Sequence, residues 1–358
     1  MQNQKTVLVL GATGGIGGEV ARQLQATGWT VKAMRRGINR QECLEGITWV
    51  PGDALNQQDV ESAADGCSVI VHAVNPPGYR NWGNLVLPML DNTIAAARKT
   101  KATIVLPGTV YNFGPDSYRG PDSYRGPDSY SGPDSYREPE AHRGPDSFPM
   151  ITEEAPQKPL TRKGKIRVEM EQRLADYAHQ GGRVIIVRAG DFFGPQVKNN
   201  WFSQGLITPG KPIKKVNNPS ANAVGHQWAY LPDVARTMVL LLERRENLDA
   251  FARFHMAGHW DTDGTKVPAS ICRVVTQHGA ASPKIVAFPW WLIRLISPFQ
   301  ETLRELLEMR YLWQTPVRMD NSKLIATLGS EPHTPLDSAV EATLVAMGCI
   351  PQISISRH

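Results

Sequence analysis

The 358-residue sequence has little of three features that would each indicate a particular class of protein. Its four cysteines, at positions 43, 67, 272 and 349, lie far apart without the spacing of a metal site, which predicts reduced thiols in the cytoplasm. No apolar run reaches the ~20 residues of a membrane span, and the first one, Val7 to Leu10, is too short for a signal peptide. Its basic residues are scattered, so a net charge of +5 does not predict a nucleic-acid partner.

Hexapeptide repeats related to "GPDSYR" occupy residues 114–149. A six-residue unit that contains Gly and Pro is too short for a solenoid repeat and buries little apolar surface. The tract is therefore predicted to be a disordered insertion. Two interpretations of it stay open, namely a tolerated expansion of a short loop and a tyrosine-bearing flap over a substrate.

A glycine-rich turn follows the first predicted strand, Val7 to Leu10, and precedes a helix and a second strand, Thr30 to Met34. Glycines at three-residue intervals in such a βαβ unit allow a tight turn, close approach of a pyrophosphate and close packing of helix on strand. The helix N-terminus then faces the phosphates. The residues predicted to bind a dinucleotide here are Gly11, Thr13, Gly14, Gly15, Ile16 and Gly17.

The end of the second strand carries Arg35 and Arg36, where NAD enzymes usually place an acidic residue for the ribose hydroxyl. A guanidinium pairs well with a phosphate, so these residues favour NADP, with NAD as the alternative. The competing interpretation is that both arginines are ordinary solvated charges at a strand end.

Strand and helix patterns continue to alternate through the sequence, which predicts an α/β fold with a Rossmann-type, doubly wound parallel sheet. We expect the dinucleotide-binding domain to comprise residues 1–113 and 151–200, interrupted by the repeats. Residues 201–358 are expected to form mostly a smaller substrate-binding lid, with some segments returning to the first domain. Further strands are predicted at Ile47 to Asp53, Ser68 to Val74, Ala102 to Tyr111 and Arg183 to Arg188.

Six motifs spread along the chain resemble the extended branch of the short-chain dehydrogenase/reductase superfamily, which contains NAD(P)-dependent epimerases, dehydratases and reductases. They are "GATGGIG" (11–17), "GD" (52–53), "TVY" (109–111), "KIRVE" (165–169), "RAGDFFGP" (188–195) and "WAYLPDVA" (228–235). The resemblance implies that Asp53 hydrogen-bonds the adenine, and that the loop from Phe193 to Pro195 borders the nicotinamide. It also implies the C-terminal lid.

The resemblance is incomplete at the catalytic residues. The family places a catalytic Tyr four residues before a Lys, whereas Lys165 is preceded at that distance by Thr161. Pro107 stands at the family's Ser or Thr position, and the nearby hydroxyl belongs to Thr109. The expected catalytic set is therefore Lys165, which orients the cofactor, with Thr161, Thr109 or a substitute tyrosine against the substrate. The candidate tyrosines are Tyr111, Tyr79 and Tyr230.

These residues support two functions. One is an NADP-dependent oxidoreductase or epimerase that acts on a small carbonyl or hydroxyl compound, or on a sugar derivative. The other is an NADP-binding sensor or scaffold with little or no turnover, since the family Tyr is replaced. The sequence leaves open whether the protein forms a homodimer. His226, His255 and His259 lie in separate segments and are interpreted as core or solvated residues, not as metal ligands.

Overall fold

The computed structural model describes residues 5–37, 44–76, 82–117, 150–196, 200–220 and 224–352. The strands in these ranges are β1 (Thr6–Leu10), β2 (Thr30–Arg35), β3 (Thr48–Pro51), β4 (Val69–His72), β5 (Thr103–Thr109), β6 (Arg183–Ala189), β7 (Asp191–Phe193), β8 (Lys215–Asn218), β9 (His226–Tyr230), β10 (Phe251–His255), β11 (His259–Asp261) and β12 (Lys284–Ala287). The helices are α1 (Gly15–Ala26), α2 (Gln57–Ala64), α3 (Trp82–Thr100), α4 (Arg162–His179), α5 (Leu231–Glu243), α6 (Lys266–Gln277), α7 (Trp290–Ile296), α8 (Glu301–Glu308), α9 (Ser322–Leu328) and α10 (Leu336–Ala346).

Seven parallel strands form the central sheet in the order β10, β6, β5, β4, β1, β2, β3. The strand order reverses direction between β1 and β4, which is where a doubly wound sheet binds its ligand. Six of the strands were expected from their apolar runs. The seventh, β10, has the sequence "FARFH" and was missed, because a short strand with a charged residue at its centre lacks a continuous apolar run.

Successive side chains of β1 point to opposite faces of the sheet, and both faces are buried. Val7 and Val9 belong to one core cluster, which α1 and α5 complete with residues such as Leu24 and Met238. Leu8 and Leu10 belong to another cluster, to which α2, α3 and α4 contribute. Helices therefore cover both faces, which confirms the predicted Rossmann-type, doubly wound fold.

A separate core cluster contains most of the apolar residues of α6, α10 and the segment around Trp313. The small sheets β11-β9-β7 and β12-β8 belong to this part of the chain. Its role as a substrate-binding lid stays a prediction. None of the helices in the described ranges is long and apolar enough to cross a membrane. Of the repeat tract, residues 114–117 are described and contain a 3-10 turn (Pro115–Ser117), whereas 118–149 lie outside the described residues.

Candidate cofactor and substrate site

A cavity of about 1070 Å³ lies at the carboxyl ends of the sheet strands. It reaches from the glycine turn after β1, past the ends of β2 and β5, to apolar residues of α7 and α8. Most small-molecule sites have volumes of about 300–1,000 Å³. The cavity is therefore large enough for a dinucleotide together with a second ligand.

The glycine turn gives the first end of the cavity a backbone surface that no other residue type could form. Gly11 has φ +87°, and a Cβ there would lie 2.5 Å from the Ala73 carbonyl oxygen. A Cβ on Gly17 would lie 2.3 Å from the Gly11 carbonyl oxygen, so Gly17 brings α1 against the turn and does not itself line the cavity. The cavity-lining residues of this segment are Gly11, Thr13, Gly14, Gly15 and Ile16.

Helix α1 begins directly behind this turn, with Gly14 as its N-cap and no acidic side chain in its first turn. The first N–H groups of a helix have no acceptor within the helix and carry the positive end of its dipole. Gly14, Gly15 and Ile16, at the start of the helix, line the cavity. This arrangement fits the pyrophosphate of a dinucleotide.

The ends of β2 and β3 place opposite charges in the next part of the cavity. Arg35 and Arg36 both line it, and the Arg35 guanidinium lies 5.7 Å from the centre of the Trp49 ring. Asp53 lines it as well, with one carboxylate oxygen accepting from the Leu55 N–H at 3.0 Å. Two guanidinium groups and one carboxylate thus stand where the adenosine half of a dinucleotide would lie.

The end of β5 brings two hydroxyl groups to the middle of the cavity. The Thr109 hydroxyl oxygen is buried and has no hydrogen-bond partner among the described residues. A buried polar atom of this kind is rare unless a ligand or water satisfies it. The Tyr111 hydroxyl donates to the Asp191 carboxylate at 3.2 Å, and both of these residues line the cavity.

Neither the Thr161 side chain nor the Lys165 side chain lines the cavity, and the roles expected for them stay predictions. The Thr161 hydroxyl is the N-cap of α4 and accepts from the Gly164 N–H at 3.0 Å, while the Lys165 side chain is exposed. Lys163 and Arg167 line the cavity instead. Residues four apart share a face of a helix, whereas a residue midway between them points away.

Arg167 lies at the cofactor side of the cavity, beyond the end of β4. Its guanidinium donates to the Asn75 amide oxygen at 3.4 Å and lies 5.2 Å from the centre of the Trp82 ring. Asn75 and Trp82 also line the cavity. Arg167 therefore presents a fixed cation close to the glycine turn.

A buried ion pair holds α4 in this orientation. Glu171 on α4 accepts from the Arg188 guanidinium at 2.6 Å through both carboxylate oxygens, and Arg188 is fully buried on β6. Asn112 and Gln157 also donate to the same carboxylate at 2.8 Å. Breaking such a pair by removing one partner costs about 3–5 kcal/mol, so the helix face that meets the cavity is firmly set.

The far end of the cavity is apolar and comes from the C-terminal half of the chain. Its apolar lining residues are Trp201, Phe288, Ile293, Leu303, Leu306 and Met309. Gln204 and Gly205, from a short π-helix (Phe202–Leu206), complete this end. Trp290 is buried in the core and Trp291 is 72% exposed, and neither tryptophan lines the cavity.

Comparison with known proteins gives matches over the cofactor half and over the whole fold. The sequence model of the NAD(P)H-binding family matches residues 11–117. One similar structure is a UDP-N-acetylglucosamine 4-epimerase from Bacillus cereus, which is 14% identical with a TM-score of 0.66, over 96% of this chain and 99% of that one. Another is a monomeric L-threonine 3-dehydrogenase from a metagenome, which is 14% identical with a TM-score of 0.67, over 96% of this chain and 98% of that one. At this low identity, the two structures show that the chain shares their fold.

Two further relatives bear on the ligands. A UDP-glucose 4-epimerase from Thermus thermophilus, solved as a complex with NAD, is 16% identical with a TM-score of 0.62 and covers 96% of this chain and 98% of that one. A 2-alkyl-3-oxoalkanoate reductase of Shewanella oneidensis is 33% identical over 76 residues, which is 21% of this chain. The match spans only 19% of that curated relative. One of the structures similar in fold was thus solved with a nicotinamide cofactor.

Of the substitute tyrosines, Tyr111 alone among the described residues lines the cavity. Tyr230 is buried, and burial raises its pKa to about 12, which makes it a poor proton donor. Tyr79 lies outside the described residues. Sequence reasoning missed Lys163, Arg167 and Asp191 as site residues; the i, i+4 spacing of the first two was the available signal.

Proposed function

We propose that the protein is an NADP-dependent oxidoreductase or epimerase whose substrate is a small carbonyl or hydroxyl compound with an apolar body. One observation carries the proposal: the same cavity joins a dinucleotide cradle at Gly11 to the buried, unpartnered hydroxyl of Thr109 and to an apolar wall. If the cavity had only a structural role, the buried Thr109 hydroxyl between its two binding surfaces would be expected to have a hydrogen-bond partner within the protein.

The choice of NADP over NAD rests on Arg35 and Arg36. Both line the cavity at the end of β2, where the 2′-substituent of the adenosine ribose would lie. A 2′-phosphate would meet two guanidinium groups and could form charge-assisted hydrogen bonds with them. NAD, with a hydroxyl at this position, could not use these charges.

The roles in chemistry follow from the positions of the side chains. A nicotinamide cofactor, when bound, supplies or accepts a hydride at the substrate carbon. Thr109 can hydrogen-bond the substrate oxygen, and Tyr111 can exchange a proton with it, which is typically worth 10²–10⁴-fold in rate. Arg167 would hold the cofactor beside Asn75, and Lys163, which lines the cavity one turn earlier, would stabilise negative charge on the substrate.

The apolar end of the cavity favours a ketone or aldehyde with a hydrocarbon body over a nucleotide sugar. Its wall of leucine, isoleucine, methionine and aromatic side chains would leave the hydroxyls of a sugar or the phosphates of a nucleotide without partners. The Shewanella relative is named for an oxo acid with an alkyl branch, which agrees with this wall. The epimerases are similar in fold alone.

The test is to titrate the purified protein with NADPH and NADH and then to offer it alkyl ketones, aryl ketones, 3-oxo acids and UDP-sugars with NADPH. We expect turnover of an apolar ketone or oxo acid. Leu306→Asn in the apolar wall should raise KM, whereas Leu295→Asn, 66% exposed and outside the cavity lining, should leave it unchanged. Turnover confined to UDP-sugars would contradict the substrate class.

The second candidate function is an NADP-binding sensor with little or no turnover. The family has a catalytic Tyr four residues before its Lys. In this cavity, the residue four positions before the cation Arg167 is Lys163 and not a Tyr, and this observation favours the second function. Measurable NADPH binding without oxidation of NADPH by any compound of the panel would support this second function against the first.

A further inference from the structure

A buried hydrogen-bonded chain leads away from the cavity behind Tyr111. The Asp191 carboxylate accepts from the Tyr111 hydroxyl at 3.2 Å on one oxygen and contacts His226 Nε2 at 2.9 Å on the other. His226 Nδ1 lies 3.2 Å from the Leu312 carbonyl oxygen. Asp191 is 7% exposed and His226 is 4% exposed, so water does not compete for these contacts.

The two contacts of His226 fix how many protons the group holds. A backbone carbonyl only accepts, so Nδ1 must carry a proton. Nε2 faces a carboxylate, so this contact needs a proton as well, either on Nε2 or on the carboxylate. Compared with an ionised aspartate beside a neutral histidine, the Asp191–His226 pair therefore holds one additional proton. The net charge of the pair is then zero.

One neighbour favours the form in which His226 is the cation. The Trp313 ring stacks on the imidazole with centroids 3.7 Å apart and planes at 6°, and a ring face attracts a cation. Asp261 lies opposite His226 in the register of β9 and β11, but burial raises the pKa of its carboxyl group, which favours the neutral form of Asp261.

His255 shows the opposite arrangement and serves as a contrast within the same molecule. Its Nδ1 contacts the Ile151 carbonyl oxygen at 3.0 Å, but its Nε2 contacts the Arg188 guanidinium, which only donates. Nε2 must therefore accept, and the ring is neutral. Burial lowers the pKa of His255 to about 2, in agreement with this assignment.

We propose that Asp191 and His226 store the proton that Tyr111 delivers to the substrate. When reduction places an electron pair on the substrate oxygen, the Tyr111 hydroxyl turns from Asp191 to that oxygen and gives it its proton. The Asp191 oxygen that faces His226 takes the stored proton from Nε2, and rotation of the carboxyl group then brings this proton to the Tyr111 oxygen. The products are the alcohol, an unchanged Tyr111, an ionised Asp191 and a neutral His226, which regains a proton from solvent before the next turnover.

Tyr111 is then the catalytic residue, and Asp191 and His226 are positioning residues that act through it. The arrangement replaces the missing phenol of α4 by a phenol on the segment after β5. The chemical step rests on the proposed function. The stored proton does not, because the hydrogen bonds that define it join protein atoms to one another.

The first experiment therefore needs no substrate. Two-bond ¹H–¹⁵N spectra of the ¹⁵N-histidine-labelled protein at neutral pH should show both nitrogens of His226 protonated, with assignment by loss of the signal in His226→Gln. Neutral references exist in the same spectrum, because burial lowers the pKa of His72 to about 3 and that of His259 to about 4. In Asp191→Asn, the His226 ring should carry a proton on Nδ1 alone.

A wild-type His226 with only one protonated nitrogen, or a spectrum unchanged by Asp191→Asn, would overturn the storage of the proton on His226. The kinetic arm uses the carbonyl compound that the panel identifies. Tyr111→Phe and Asp191→Asn should each lower kcat about 10²-fold or more without changing NADPH affinity, and Asp191→Glu should recover part of the loss. His259 is not part of the hydrogen-bonded chain from Tyr111 to His226, so His259→Gln should keep the wild-type kcat. A wild-type kcat in Asp191→Asn would overturn the delivery step while the protonation result stands.

Discussion

The two ends of the cavity are built in opposite ways. The cofactor end takes its cradle from one contiguous segment, residues 11–17, together with charges at the ends of neighbouring strands. The substrate end combines side chains from Thr109 to Met309, supplied by loops, a π-helix and two short helices. The first end depends on backbone geometry that few substitutions tolerate. The second depends on side chains that can change one at a time, which is how one fold can serve many substrates.

The sharpest way to break the cofactor end is Gly11→Ala. An added Cβ would lie 2.5 Å from the Ala73 carbonyl oxygen in a backbone with φ +87°. We expect a loss of stability well above the roughly 1–2 kcal/mol of the left-handed conformation alone, together with loss of NADPH binding. Thermal unfolding and fluorescence titration measure the two effects.

Gly28→Ala is the matched control for this change. Gly28 has φ +84°, but an added Cβ there meets nothing within 4 Å. Gly28→Ala should therefore lose only the stability that the left-handed backbone conformation costs an alanine, and it should keep its NADPH affinity. Equal losses in the two variants would mean that the approach to Ala73 does not shape the cofactor end.

The boundary between the two ends can be tested on α4. Arg167→Ala removes a cavity-lining cation that contacts Asn75, and hydrogen bonds of charged groups are worth about 1.5–3 kcal/mol. NADPH affinity should therefore fall about 10- to 100-fold. Lys165→Ala, on the exposed side of the same helix, should bind NADPH like the wild type. The reverse result would restore the role that the motif predicted for Lys165.

Cofactor choice is a smaller effect at the cofactor end. We expect NADPH to bind at least about tenfold more tightly than NADH, a difference of about 1.4 kcal/mol. Arg35→Asp should reverse the order, because the carboxylate would repel a 2′-phosphate and accept from a ribose hydroxyl. Equal Kd values for the two cofactors in the wild type would show that Arg35 and Arg36 are ordinary strand-end charges.

The same contrast explains what sequence reasoning could reach. The glycine turn was predictable because local backbone rules fix it within seven residues, from Gly11 to Gly17. In α4, Ile166 and Met170 mark the buried face. Periodicity then separates Lys163 and Arg167 from Lys165, but it does not say which side meets the cavity. That depends on the Glu171–Arg188 pair, whose partners lie on different elements.

The contact between Asp191 and His226 could not be predicted from the sequence, for a related reason. They lie 35 residues apart on β7 and β9, strands that pair only in the folded chain. His226 was interpreted as a core or solvated histidine, and it is indeed buried. Its second hydrogen bond to Asp191 has no local signature in the sequence, because long-range pairing brings the two together.

The smallest effect is expected from deleting Gly114–Arg143, which joins Phe113 to Gly144. Gly114 and Ser117 make local contacts at the start of the tract, where the Gly114 N–H donates to the Ser117 hydroxyl at 3.1 Å and Ser117 is buried. The deletion restores them, since residues 144–147 repeat the sequence "GPDS". Each doubling of loop length costs only about 0.6 kcal/mol, so Tm should stay equal or rise slightly.

A longer deletion, Gly114–Ser147, is the control for that result, because it joins Phe113 to Phe148 and removes all five copies of "GPDS". It should lower Tm, since nothing then replaces the buried Ser117. NADPH affinity should be unchanged in the shorter deletion, because the repeat tract begins next to Tyr111 in the sequence and not next to the glycine turn. A selective loss of turnover in that variant would mean that the repeats cover the substrate end, and the comparison of the two ends would then have to include them.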